Sequence, residues 1–183
     1  LFRSEDNGAV LDFGHVRRGG TGVTNVGMLT EDKDGFLGRL KETFDSCGFE
    51  VRIHENIQYL IWDKLFTNVS LSALTGILQV DMGYIAADEY TWKLCRQLIH
   101  ETILTAAAAG LEFDEETVAE KVKKTSLNNP SGCTSIRADL RDGRRTEVDT
   151  ISGAVVRAAK KYNVEVPGHE FVVNLVHAME GRG

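Results

Sequence analysis

Several things are scarce in this sequence of 183 residues, and each scarcity narrows its chemistry. Cysteine occurs only as Cys47, Cys95 and Cys133, an odd number without a C-x-x-C pair. That excludes a disulfide framework and a thiolate zinc site, and it fits a reducing, cytoplasmic setting. Each thiol is expected as a small buried or half-buried side chain. No apolar run is long enough to span a bilayer, and no basic stretch followed by an apolar core opens the chain, so no membrane span and no signal peptide are expected. Long basic runs are missing as well. With a net charge of −6, a general affinity for nucleic acid or anionic membrane is not expected. His15, His54, His100, His169 and His177 form no pair at the spacing of a helical metal site, so no metal is expected. G-x-S-x-G, Walker and G-x-G-x-x-G patterns are absent, and Gly19-Gly20-Thr21-Gly22 lacks the offsets that lead from a strand into a helix.

What is present is the composition of a globular protein able to bury a core, with 42% hydrophobic and 26% charged residues. The length suits one domain, or one domain and part of another. The chain opens on Leu1, so its numbering is expected to begin inside a longer protein. Residues 8–28 hold six glycines and short β-branched runs, and Arg18-Gly19-Gly20-Thr21 suggests a hairpin between two strands. A helix is predicted from Asp32 to Gly48, then one more strand over Phe49-Glu50-Val51-Arg52-Ile53, whose residues alternate. From Asn56 onward the pattern turns helical: Asn56 to Leu78, Asp81 to Ala87, a long helix from Asp88 or Glu89 to Gly110, and one capped by Asp114 through Lys124. Trp92, Cys95, Leu98, Ile99, Ile103 and Ala106 make one apolar stripe. Asn128-Asn129-Pro130-Ser131-Gly132 breaks the chain before a short helix from Thr134 to Arg141. Thr146 and Asp149 resemble a capping box opening a helix to Tyr162, and Pro167 starts the last helix.

Two constellations carry chemistry. On a wheel of about 100° per residue, Lys64, Asn68, Ser72 and Thr75 fall within roughly 80° of one another in an otherwise apolar helix. The stripe is narrow and, Lys64 apart, neutral. Two accounts stay open: an ordinary amphipathic face, or a lysine placed beside an amide and a hydroxyl to donate a proton or polarise a carbonyl. Asp63, Thr67 and Ser70 form a second polar strip that favours the ordinary account. The second constellation runs from Thr134 to Asp149. Ser135 and Asp139 share a helical face, and Glu147 is expected in the first turn of the next helix, where the helix dipole favours a carboxylate. Alone, it also reads as two capped helices joined by a charged turn.

Together these motifs resemble ketopantoate reductase (2-dehydropantoate 2-reductase). Trp62-Asp63-Lys64-Leu65-Phe66-Thr67-Asn68 matches that family's W-x-K-L-x-x-N, and Ser135, Asp139 and Arg144-Arg145-Thr146-Glu147-Val148-Asp149 follow in order, with Gly153 behind them. The resemblance implies a mostly α fold: residues 56–183 as an all-helical substrate-binding and catalytic domain of the 6-phosphogluconate dehydrogenase C-terminal type. Residues 1–55 would be a small β-containing remnant of the Rossmann domain that binds NADPH. It implies Lys64 as general acid, Asn68 and Ser135 as substrate-binding residues, and Glu147 on the cofactor side. It also implies that this stretch alone does not transfer hydride. The implied partner is a small 2-oxo acid on the route to pantothenate and coenzyme A; the long apolar helices make a homodimer plausible.

The chain departs from the family's pattern where Ser72 replaces a second substrate asparagine and where a loop asparagine aligns near Met82. A different 2-oxo acid is therefore a live alternative. So is a helical dimerisation module without catalysis, which expects an exposed Lys64 and unrelated directions for Ser135 and Glu147. The reductase expects Lys64, Asn68, Ser135 and Glu147 to share a cleft.

Overall fold

The computed structural model describes residues 2–4, 8–18 and 22–181, which divide into two compact units, residues 1–61 and 62–183. In the first unit, β1 (Phe2–Ser4) pairs antiparallel with β4 (Thr24–Val26), and β4 pairs parallel with β5 (Val51–Ile53). A parallel pair needs a crossover, and α1 (Phe36–Ser46) supplies it. Val26, Leu37 and Val51 form the small core between sheet and helix, with Met28 and Leu40 packed against it. Asp32 caps α1, its two carboxylate oxygens accepting from Phe36 N at 2.7 Å and Leu37 N at 2.9 Å. A separate hairpin joins β2 (Gly8–Asp12) to β3 (His15–Arg18). It turns at Phe13-Gly14, where glycine takes φ +71°. The turn expected at residues 18–21 lies outside the described residues beyond Arg18.

From residue 56 onward the described elements are all helical. Asn56 caps α2 (Gln58–Thr67), accepting from Gln58 N at 3.0 Å. The helix runs through a π turn at Asn68–Ser72 into α3 (Ala73–Leu78). Then come α4 (Met82–Ala87), α5 (Glu89–Ala108), α6 (Glu115–Asn128), α7 (Ser135–Arg141), α8 (Ser152–Tyr162) and α9 (Pro167–Glu180). The fold class is the mostly helical one expected. Asp88 and Asp114 cap α5 and α6, each accepting backbone N–H bonds of their first turns. The α5 stripe is what organises the core: Cys95, Leu98 and Ile99 are buried and meet Phe66, Leu71, Ile85 and Val176, and Ala106 is buried farther along the same helix. Each of the larger side chains among these, such as Leu98, Ile99 and Phe66, contributes about 1.5–3 kcal/mol on burial. Phe66 also meets Phe113 edge-on, with ring centroids 4.9 Å apart. A second cluster joins Val69 and Ile136 to Ile151, Val155, Ala159 and Val166.

Two expectations fail on tertiary grounds. The capping box at Thr146 does not form, and α8 starts only at Ser152. Glu180 of α9 takes the Thr146 N–H at 2.6 Å and its hydroxyl at 2.7 Å, so residues 147–151 stay in turns and Glu147 is not in a helix. Cysteine burial holds only for Cys95; Cys47 and Cys133 are exposed, since one follows the last turn of α1 and the other sits in the break before α7. Among the described residues no helix is long and apolar enough to cross a membrane, and no group of three or more His, Cys, Asp or Glu could hold a metal ion.

Candidate active site

The π turn changes the polar stripe. Its i→i+5 pattern adds one residue to the helical ladder, which rotates everything downstream by about 100° relative to the upstream face. Lys64 and Asn68 stay outward, exposed and half-buried, whereas Ser72 is 7% and Thr75 0% exposed. The continuous stripe drawn on an ideal wheel is therefore two segments. Serine and threonine hydroxyls serve this irregular backbone: Ser70 donates to the Phe66 carbonyl at 2.6 Å and Thr75 to the Leu71 carbonyl at 2.7 Å.

Thr75 then reaches across to the second motif. Its Oγ1 lies 2.7 Å from Thr134 Oγ1, and Thr134 is the N-cap of α7. Beside this bond Gly76 lets α3 and α7 touch: a Cβ there would stand 2.5 Å from Ile136 Cγ2. Arg137 pairs with Asp81, tying α7 to the start of α4 as well. Ser135, between Thr134 and Ile136, is thus fixed at the first residue of α7 beside the α3 helix, and it is exposed. Glu147 is exposed too, in a turn held by α9. Met82 points into the core at 9% exposure and offers no polar group.

The hydrogen bonding sorts the polar side chains further. Between Thr134 and Thr150, every charged or hydroxyl side chain has a bond or ion pair except Ser135 and Glu147. Asp139 holds Arg144 at 3.0 Å, Arg141 holds Asp142 at 2.7 Å, and Asp149 takes His177 at 3.0 Å and Arg145 at 3.7 Å. Between Ile61 and Leu78, Asp63 is taken by Lys121 at 2.6 Å, and Ser70 and Thr75 are spent on carbonyls. Lys64, Thr67, Asn68 and Ser72 keep free side chains among the described residues. Ser72 is nearly buried, yet its Oγ is not among the enclosed unbonded atoms, so the hydroxyl reaches the surface. Thr67, which sequence periodicity assigned to the other strip, belongs with the free groups. The engaged strip and the free strip look alike in sequence; only the partners separate them.

The structure brings Ser135 against the helix that carries Asn68 and Ser72 and holds Glu147 from α9. Lys64 is exposed, as the non-catalytic helical unit expects; the reductase reading needs the same ammonium open to a bound acid. Two cavities lie elsewhere and contain none of the five predicted residues. One, of about 270 Å³, is lined by Leu74, Leu94, Leu98 and Phe171; the other, of about 630 Å³, by Asp81, Tyr84 and Arg137.

Known proteins share this architecture. A 2-dehydropantoate 2-reductase of Pyrococcus horikoshii is 32% identical over 178 residues, covering 97% of this chain and 59% of that protein. One from Archaeoglobus fulgidus is 29% identical over 169 residues, 92% of this chain and 56% of that protein. Among solved structures, D-mandelate dehydrogenase in complex with NADH superposes with a TM-score of 0.89 at 26% identity, covering 98% of this chain and 62% of that one. A structure from Enterococcus faecalis, assigned as a 2-dehydropantoate 2-reductase without its activity being established, gives 0.81 at 26% identity, with 98% and 58% covered. The chain thus spans just under three-fifths of the length of these two curated relatives. Residues 56–180, which hold the interrupted helix, the α7 start and the Glu147 turn, match the family model described as Ketopantoate reductase PanE/ApbA C terminal, and this chain belongs to that family.

Proposed function

We propose that the protein carrying this chain is a nicotinamide-dependent 2-oxo acid reductase acting on ketopantoate, with residues 56–183 as its substrate-binding and catalytic domain, residues 1–55 as the end of a nucleotide-binding domain, and NADPH as cofactor. One observation carries the reading. In two motifs crowded with polar groups, the side chains left without partners include Lys64, Asn68, Ser72, Ser135 and Glu147, while nearly all their neighbours are satisfied within the protein. Water can satisfy these donors and acceptors in the free protein, and a ligand bearing a carboxylate and hydroxyls can take its place, which the paired neighbours do not allow.

The chain's own chemistry suits the reaction. Lys64 is an ammonium without a carboxylate partner, free to stabilise negative charge developing on the oxygen at C2 and to give it a proton. Asn68, Ser72 and Ser135 offer an amide and two hydroxyls for the carboxylate and hydroxyl of the substrate. Ser135 directly follows Thr134, whose hydroxyl is held by Thr75. The cofactor supplies a hydride to C2 when bound. Of this chain's residues, Glu147 fits it by its chemistry, because a free carboxylate accepts from ribose hydroxyls or a carboxamide. The sequence has no G-x-G-x-x-G turn to cradle the pyrophosphate.

A second reading keeps the reaction and changes the acid. It is favoured by Met82, which withdraws into the core, and by Ser72, a shorter donor than an amide. The likeness to D-mandelate dehydrogenase supports it. The test is NADPH oxidation by the intact protein with ketopantoate beside other 2-oxo acids, followed by Lys64→Ala. Loss of the general acid is expected to lower kcat by about 10²–10⁴-fold. Turnover of another acid in preference to ketopantoate would establish the second reading. No turnover with any 2-oxo acid refutes the reductase, and full activity in the alanine variant refutes the role of Lys64.

A further inference from the structure

The turn that carries Glu147 is gripped at both ends by one helix. At its start, Glu180 Oε1 accepts from Thr146 N at 2.6 Å and Thr146 Oγ1 at 2.7 Å. At its end, His177 Nε2 lies 3.0 Å from Asp149 Oδ1. The two grips are joined, because His177 Nδ1 lies 2.8 Å from Glu180 Oε2. Val148 is fully buried and anchors the turn to the core, and Val148 N donates back to Thr146 Oγ1 at 3.2 Å. Glu147 sits between the pegged residues with its carboxylate free. None of the four clamp residues touches the free groups of the interrupted helix, so the cluster has no direct role in binding there.

We propose that His177 and Glu180 are positioning residues that hold Glu147 in the orientation it needs toward a bound nicotinamide cofactor. The inference rests on the reading of Glu147 as a cofactor-side group. Both ring nitrogens of His177 face carboxylates, which are acceptors only. An imidazolium donates to both at once, whereas a neutral ring has one donor and must turn a lone pair on the other carboxylate. The complete clamp is therefore the protonated one.

The groups facing His177 are few. Glu180 on its own helix and Asp149 on the turn hold its pKa above the ordinary imidazole range, against a smaller opposing effect of burial. Arg145 lies 3.7 Å from the second oxygen of Asp149, and Arg157 of α8 reaches the same space beside Gly153. Burial pushes Glu180 up, but the Thr146 N–H and hydroxyl, with His177, outweigh it and keep Glu180 ionised below the usual carboxylate range. The sign follows: with the folded pKa raised, the clamp is intact at and below the ordinary imidazole value and is lost as pH rises through the folded one.

The test uses the intact protein, with KM for NADPH measured against pH and hydrogen exchange followed at the backbone of residues 145–150. In the wild type, KM for NADPH is expected to rise about tenfold as pH climbs through the His177 titration, with kcat changing less. His177→Gln should sit at the high KM throughout, without that limb, and its 145–150 amides should exchange about tenfold faster. Glu180→Gln should move the limb to lower pH, because the principal carboxylate partner of the ring is gone. A His177→Gln enzyme that keeps the wild-type limb and KM overturns the proposal, as does unchanged exchange in both variants. A wild-type protein that oxidises no NADPH with any 2-oxo acid refutes the reductase reading instead, and the exchange experiment still decides the clamp.

Discussion

Replacing Gly76 by alanine tests how tightly the two motifs are joined. A Cβ on Gly76 would stand 2.5 Å from Ile136 Cγ2, 3.3 Å from Ile136 Cβ and 3.4 Å from Arg137 N. Carbon atoms rest about 3.5–4.0 Å apart, so α3 and α7 must separate by about 1 Å. Ile136 is fully buried with Val69 and Val155, which are 0% exposed, so no rotamer of Ile136 relieves the clash cheaply. Helix propensity alone would make Ala better than Gly by about 1 kcal/mol. Overpacking of this kind costs about 1–3 kcal/mol, which leaves a net loss of about 0–2 kcal/mol. The larger effect falls on the site. Ser135 precedes Ile136 and moves with it, and a displacement of about 1 Å at a binding contact can reduce turnover by up to about 10²-fold. Urea unfolding followed by circular dichroism measures the first effect, and KM and kcat for the 2-oxo acid in the intact protein measure the second. Thr75→Val is the companion variant: it keeps the volume but removes the bond to Thr134, at a cost of about 1 kcal/mol. A Gly76→Ala protein that gains the full propensity increment with unchanged kinetics refutes the close junction of α3 and α7.

Two further outcomes are expected. Glu101 is buried on α5, and its oxygens accept from Gly168 N at 2.9 Å, His169 N at 3.1 Å and Gln97 Nε2 at 3.0 Å, so it caps α9 from a distant helix. Glu101→Ala strips two N–H groups of their acceptor and is expected to cost about 2–5 kcal/mol in urea unfolding, with Glu101→Gln losing less; a loss under about 1 kcal/mol refutes the capping role. Of the three thiols, Cys47 and Cys133 are exposed and should react with an aromatic disulfide reagent in the folded protein. Cys95, fully buried and pushed up to about 12 by that burial, should react only on unfolding; rapid labelling of all three thiols under native conditions contradicts the packing of α5.

By itself the sequence determined the mostly helical class and most element boundaries, because those depend on short-range chemistry. Apolar residues at helical spacing, Asn56, Asp88 and Asp114 as caps, Pro167 at a helix start and Gly110 after a helix end are local signals, and each acts where it stands. It also drew attention to Lys64, Asn68, Ser72, Ser135 and Glu147. Tertiary structure decided the rest. The π turn at Asn68–Ser72 broke a stripe that an ideal wheel makes continuous, and no residue type announces that extra residue. Thr146 was a plausible cap for its own helix until Glu180, thirty-four residues later, took its N–H and hydroxyl. Asp63, Ser70 and Thr75 read as equals of Lys64, Asn68 and Ser72 in sequence. They differ only because Lys121 and the Phe66 and Leu71 carbonyls lie within reach of the first three. A polar side chain's freedom to bind depends on the partners folding brings to it, and those partners are remote in sequence or fixed by backbone geometry that residue order does not display.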